Sequence, residues 1–131
     1  MALTINDLPT GWKLYGTFNN TKDRYNINFI KIEALTPYVV YLNITRYPSI
    51  EQARVEYISE KSKITQFKVE PVNLGNEGFG YVNDDSSIVI FRSGNIIVNT
   101  QYGVGGFGAS SSFLSINDAE DYAKIVAGRI Q

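Results

Sequence analysis

The chain has 131 residues, 44% of them hydrophobic and 19% charged, and its twelve basic and thirteen acidic side chains give a net charge of −1. That length suits one domain able to bury roughly two-thirds of its unfolded surface, and the charge balance supplies no global field to draw it onto nucleic acid or an anionic membrane. There is no cysteine and no histidine. Their absence removes disulfides, thiolate nucleophiles, sulfur-ligated zinc, the Ser-His-Asp triad and histidine-ligated metals, so no metal site and no cofactor is expected.

No apolar run approaches the roughly 18 residues that a membrane-spanning helix needs. The opening MALTINDLPTGW lacks the basic and apolar regions of a secretory signal. A Met-Ala start suits a native N-terminus and an extracytoplasmic domain whose leader was removed equally well, so the compartment stays open.

After the Leu8–Gly11 turn, Trp12–Phe18 reads as a first strand, and Asn19–Asp23 as a turn. Tyr25–Ala34 alternates, with Tyr25, Ile27, Phe29 and then Lys31 on one side of the pleat, and Tyr38–Arg46 is β-branched and aromatic. Pro48-Ser49 opens a helix: Ser49 and Gln52 have capping-box spacing, while Ile50, Ala53, Tyr57 and Ile58 make an apolar stripe at helical period. Strands are then expected over Thr65–Val72, Gly78–Val82 and Ser87–Arg92. IVIFR and NIIVNT flank Ser93-Gly94, which predicts a tight hairpin over Ser87–Thr100 with glycine supplying positive φ. A Gly- and Ser-rich loop covers Gly103–Ser112. A second helix starts near Asn117, with Asn117 and Glu120 as N-cap and N3 and Ile116, Ala119, Tyr122, Ala123, Val126 and Ile130 on one face. The order β-β-β-α-β-β-β-β-α predicts an α+β fold on one mainly antiparallel sheet, with both helices packed on one face.

Few residues carry chemistry. Gly103–Gly108 satisfies GxGxxG, but no helix follows directly and no parallel βαβ unit can form in what remains of the chain. Asp118, Glu120 and Asp121 suit the first turn of a helix through its dipole. A carboxylate-based hydrolase would need two acids facing each other in a cleft. The sequons at Asn19 and Asn43 match what chance allows in so asparagine-rich a chain. Arg92 and Asn95 flank the hairpin tip, where a rigid arginine can hold an anion or a partner. Trp12 reads as a core anchor.

Two resemblances bear on function. Glu77-Gly78-Phe79-Gly80-Tyr81-Val82 resembles the RNP1 motif of RNA-recognition motif domains, and Val40–Ile44 resembles RNP2. This implies Phe79, Tyr81 and Tyr41 as rings that stack on splayed bases. Glu77 stands where that family has a basic residue, and a hairpin follows where its second helix belongs. Across most of the chain, LPTGW, Tyr47-Pro48-Ser49, Gly75-Asn76-Glu77-Gly78 and FRSGN resemble small archaeal and prokaryotic extracytoplasmic α+β domains, PsbP/Mog1-like in style. The Ile, Asn and Tyr richness resembles proteins of hot-acid archaea and their viruses. The sequence therefore points to a non-enzymatic binding or assembly domain that contacts a protein partner or a second copy through a sheet face, a sheet edge or the Gly-rich loop. Single-stranded nucleic acid is the rival partner.

Overall fold

A computed structural model describes residues 5–8, 10–17, 21–33, 36–83, 85–104 and 114–130. A 3-10 turn over Ile5–Asp7 precedes strands β1 (Lys13–Thr17), β2 (Arg24–Glu33) and β3 (Thr36–Arg46), helix α1 (Ile50–Ser62), strands β4 (Glu70–Pro71), β5 (Glu77–Val82), β6 (Ser86–Ser93) and β7 (Ile96–Val104), and helix α2 (Ile116–Ile130). The element order is as the sequence predicts. All seven strands form one antiparallel sheet in the order β1-β2-β3-β7-β6-β5-β4. Two meanders, β1–β3 and β4–β7, are thus joined along β3 and β7, and α1 carries the chain from the centre to the far edge.

The class holds, but the helices do not share a face. On β6, Val89 and Phe91 pack with Ala119, Ala123 and Val126 of α2, whereas Ile88 and Ile90 pack with Ala53 and Tyr57 of α1. Neighbouring residues on a strand point to opposite sides, so α1 and α2 lie on opposite sides of the sheet. The reason is in the sequence of β6: Ser-Ile-Val-Ile-Phe is apolar at both parities, the pattern of a strand buried on both faces.

The larger core lies under α2. It joins Leu8 and Trp12 to Ile27 and Phe29 of β2, Val40, Leu42 and Ile44 of β3, and Val98 of β7. Ser87 fixes the start of α2 from below, its Oγ accepting the Ala119 backbone N–H (3.2 Å) and donating to the Ile116 carbonyl (3.4 Å). The cap of α2 lies two residues before the expected Asn117: the Asp118 carboxylate accepts the Ser115 backbone N–H (2.8 Å), the reciprocal half of a capping box. Gly80 faces this helix, where a Cβ would come within 2.8 Å of Ile116 Cγ2.

Helix α1 starts as predicted, with Ser49 Oγ accepting the Gln52 N–H at 3.1 Å. Its predicted stripe is half right. Ala53 and Tyr57 are buried, while Ile50 and Ile58 are 57% and 60% exposed, because α1 meets the sheet along a narrow line over β5, β6 and the start of β7.

The strand expected over Thr65–Val72 shrinks to Glu70–Pro71. Pro71 has no N–H to continue a ladder, and Phe67 instead lays its ring on Tyr81. The hairpin loop is Gly94-Asn95, one residue later than predicted, with Gly94 at φ +61°. Gly103 and Val104 of the expected Gly-rich loop belong to β7. Its remainder, like Phe18 and Ala34 of the predicted strands, lies outside the described residues. Among the described residues no helix is long and apolar enough to cross a membrane.

Candidate functional site

The hairpin tip is the first place where predicted site residues come together. Tyr47-Pro48, Gly75-Asn76-Glu77 and Arg92–Asn95 are distant in sequence and meet at one corner of the sheet. Arg92 is buried and donates from Nε to Glu77 Oε2 at 2.6 Å and from Nη1 to the Gly94 carbonyl at 2.8 Å. Asn76 Oδ1 accepts the Gly94 N–H (2.7 Å), and the Asn76 N–H donates to the Arg92 carbonyl (2.8 Å). Asn95 Nδ2 donates to the Tyr47 carbonyl (2.9 Å), while the Tyr47 N–H returns a bond to the Asn95 carbonyl (2.8 Å). Arg92 and Asn95 thus each direct donors to the fold itself. A hollow of about 490 Å³ separates this corner from Ile50, Arg54 and Ile58 of α1. Burial, with the Glu77 charge beside it, raises the Tyr57 phenol to about 12.

The RNP1-like segment has its glycines on the α2 side and its aromatics under α1. Phe79 is completely buried, edge-on to Tyr57 at 5.4 Å. Tyr81 is half-buried, with Phe67 stacked at 5.5 Å and Phe79 at 6.4 Å. The ring of Phe79 is therefore not offered to a base, and that of Tyr81 already has aromatic neighbours. Glu77, in the position of a phosphate-binding residue, neutralises Arg92 instead.

Tyr41 lies elsewhere, on the α1 side of β3 but beyond the reach of α1. Antiparallel partners share a face, so the registers define two rows across the sheet. One row is Asn26–Asn43–Asn99 on β2, β3 and β7, and the other is Asn28–Tyr41–Gln101. Both continue onto β6 as Ile90 and Ile88, beneath α1. Three of the amide oxygens accept hydrogen bonds from neighbouring side chains. The Tyr41 hydroxyl donates to Asn26 Oδ1 (3.1 Å), Thr45 Oγ1 to Asn43 Oδ1 (3.4 Å) and Gln101 Nε2 to Asn99 Oδ1 (3.3 Å). Asn26 is buried and the other five row residues are half-buried. Asn28 Oδ1 is buried without a hydrogen-bond partner. Burial raises the Tyr41 phenol, partly opposed by the nearby Arg24 charge.

Of the predicted residues, only Tyr41 belongs to this amide-lined face. The five amides around it were legible as the polar half of the alternation, since Asn26 and Asn28 interleave with Tyr25, Ile27 and Phe29.

The carboxylates are mostly engaged in pairs with cations. Asp7 meets Arg129 at 2.5 Å, Asp23 meets Arg46 at 3.2 Å, and Glu120 meets Lys124 at 3.4 Å. Among the described residues no group of three potential metal ligands is found. No family model, curated protein or solved structure matches the chain.

Proposed function

We propose that the chain is a non-enzymatic binding module whose contact surface is the amide-lined face of β2, β3 and β7, and whose partner is a second copy of itself. The observation that carries this reading is the pair of rows: five amides and one tyrosine, with no ionised side chain among them, on the part of the sheet that α1 does not cover. Amides present donors and acceptors together, and removing them from water costs far less than removing charges. A partner with its own unpaired donors and acceptors can therefore cover them. A second copy brings that same chemistry, and a two-fold arrangement makes the surface self-complementary. Asn28 Oδ1 lies beneath this face, buried and without a hydrogen-bond partner.

The face is a better contact surface than either edge of the sheet. β4 is two residues long and contains Pro71. β1 begins with Lys13 and is interrupted by a bulge between Leu14 and Gly16. Short strands, proline, lysine and bulges are the devices that keep edges from pairing. The non-enzymatic reading rests on the lack of histidine and cysteine and on carboxylates taken up in ion pairs and caps. A rival reading, single-stranded nucleic acid, now rests on Tyr41 and the amides, near Arg24, rather than on Phe79.

Asn43 is central to the first row, and Asn43→Lys would place a charge there without touching the core. Sedimentation equilibrium across a concentration series is expected to show a reversible dimer for the wild type and a monomer for the variant. A wild type that stays monomeric, or a variant that dimerises equally well, would sink the proposal. Binding of a labelled oligothymidylate, lost in Tyr41→Ala, would favour the rival.

A further inference from the structure

We infer that the hollow at the Arg24 end of β2 is a binding site for a small amphiphilic anion, a phosphate or carboxylate carried on a short apolar chain. The inference does not rest on association through the amide-lined face, although Arg24 stands near the Tyr41 of that face. β2 begins at Arg24 and β3 ends at Arg46, and because the strands are antiparallel, with Arg24 opposite Thr45, both guanidinium side chains arise at one end of the sheet. The turn before β2 is tied to that end: the Arg46 N–H donates to the Asp23 carbonyl (2.8 Å) and the Thr21 N–H to the Arg24 carbonyl (2.8 Å).

Between the turn and the α2-side core lies a hollow of about 240 Å³. Tyr25, Ile44 and Ile96 line it with apolar surface, and Lys22, Arg24 and Arg46 add three cations against the single carboxylate of Asp23. Arg46 is held in place, its Nε on Asp23 Oδ1 at 3.2 Å and its Nη2 on the Lys22 carbonyl at 2.9 Å. Arg24 makes no ion pair among the described residues. A second hollow on the other side of the turn shares Thr21, Asp23, Arg24 and Arg46, so the same charges border both. Other arginines are offset by neighbours, as Arg92 is by Glu77, Arg129 by Asp7 and Arg54 by Glu51. Here excess positive charge adjoins apolar side chains that continue the core to the surface. An anionic group would meet the guanidinium groups, which suit oxyanions, and its chain would cover Ile44 and Ile96. The volume lies below the roughly 300–1,000 Å³ of ordinary ligand pockets, which calls for a short chain.

Hexyl phosphate is the probe, titrated into the whole chain and followed by calorimetry and amide NMR. Saturable binding is expected, with shifts centred on residues 21–25, 44–46 and 96. Arg24→Gln, a change at an exposed position, should keep the wild-type melting temperature and weaken binding about tenfold, the effect of losing one charge-assisted contact. Raised salt should weaken it too. Inorganic phosphate alone should bind more weakly than hexyl phosphate, and hexyltrimethylammonium should not bind. Vesicles containing phosphatidylglycerol distinguish the sources: sedimentation of the wild type but not of Arg24→Gln with them identifies a lipid headgroup, and hexyl phosphate binding without sedimentation identifies a free amphiphile. The inference is overturned if hexyl phosphate fails to saturate, binds Arg24→Gln as tightly as the wild type, or binds no better than inorganic phosphate.

Discussion

On the α1 side of the sheet, two regions with the same backbone geometry carry opposite chemistry. Followed across the strands, one row runs Asn26, Asn43, Asn99, Ile90, Phe79 and the next runs Asn28, Tyr41, Gln101, Ile88, Tyr81. In both rows amides give way to apolar side chains between β7 and β6. Ile97 marks the same seam within a single strand, for it is buried with Ala53 and Tyr57 while Asn99, two residues on, is half-buried among the amides. Position in a sheet does not fix burial. What differs is the helix above: α1 seals one region, and among the described residues no helix lies over the other.

The largest test of that contrast is truncation on either side of the seam. Phe79→Ala empties a fully buried site against Tyr57 and should cost about 3–5 kcal/mol in urea unfolding, in line with other buried phenylalanines. Asn99→Ala, at the other side of β6 and β7, should change stability by no more than about 0.5 kcal/mol. A comparable loss at both positions would mean that the amides are as much a part of the packed core as Phe79, and the distinction between the regions would fail.

That division explains which parts of the molecule were legible in its sequence. β2 and β3 have one buried face each, so Tyr25, Ile27 and Phe29 alternate with polar residues and the strands could be read directly. The Ser49 cap and the Gly94 turn are local chemistry, and both lie where expected to within a residue. β6 is buried on both faces and has no alternation, so the sequence does not reveal that helices approach it from two sides. Helix α1 has five apolar residues of which only Ala53 and Tyr57 are buried, and no periodicity distinguishes them from Ile50, Val55 and Ile58. The amide rows are a tertiary feature. They require the register of β3 against β7, two strands separated by α1 and β4–β6.

Alkali probes the sealed region and the core beneath α2 together. The phenols of Tyr57, under α1, and Tyr102, beside α2, are both raised to about 12, chiefly by burial. An unfolded tyrosine ionises near pH 10. Between these values the unfolded chain has lost protons that the folded chain retains, so stability should be intact below about pH 10 and fall as pH rises towards 12. Tyrosinate absorbance should then develop together with loss of circular dichroism. Tyr57→Phe should make the fall shallower. A wild type whose stability stays level to pH 12 would show that neither phenol is shielded from ionisation.

The smallest effects come from two buried oxygens without hydrogen-bond partners, Asn28 Oδ1 among the amides and Thr100 Oγ1 in the core beneath α2. Thr100 is completely enclosed, and no partner can reach its hydroxyl. Thr100→Val keeps the shape and removes an unpaired polar atom, so it should stabilise the fold by up to about 1 kcal/mol and leave association unchanged. A loss of more than about 1 kcal/mol would mean the hydroxyl contributes a bond after all. Asn28→Val should also alter stability by no more than about 1 kcal/mol, yet it removes one of the five amides from the proposed contact surface and should weaken dimerisation. If association is equally strong in both variants, the Asn28 amide takes no part in the contact, its oxygen is merely tolerated like that of Thr100, and the proposed surface loses one of its five amides.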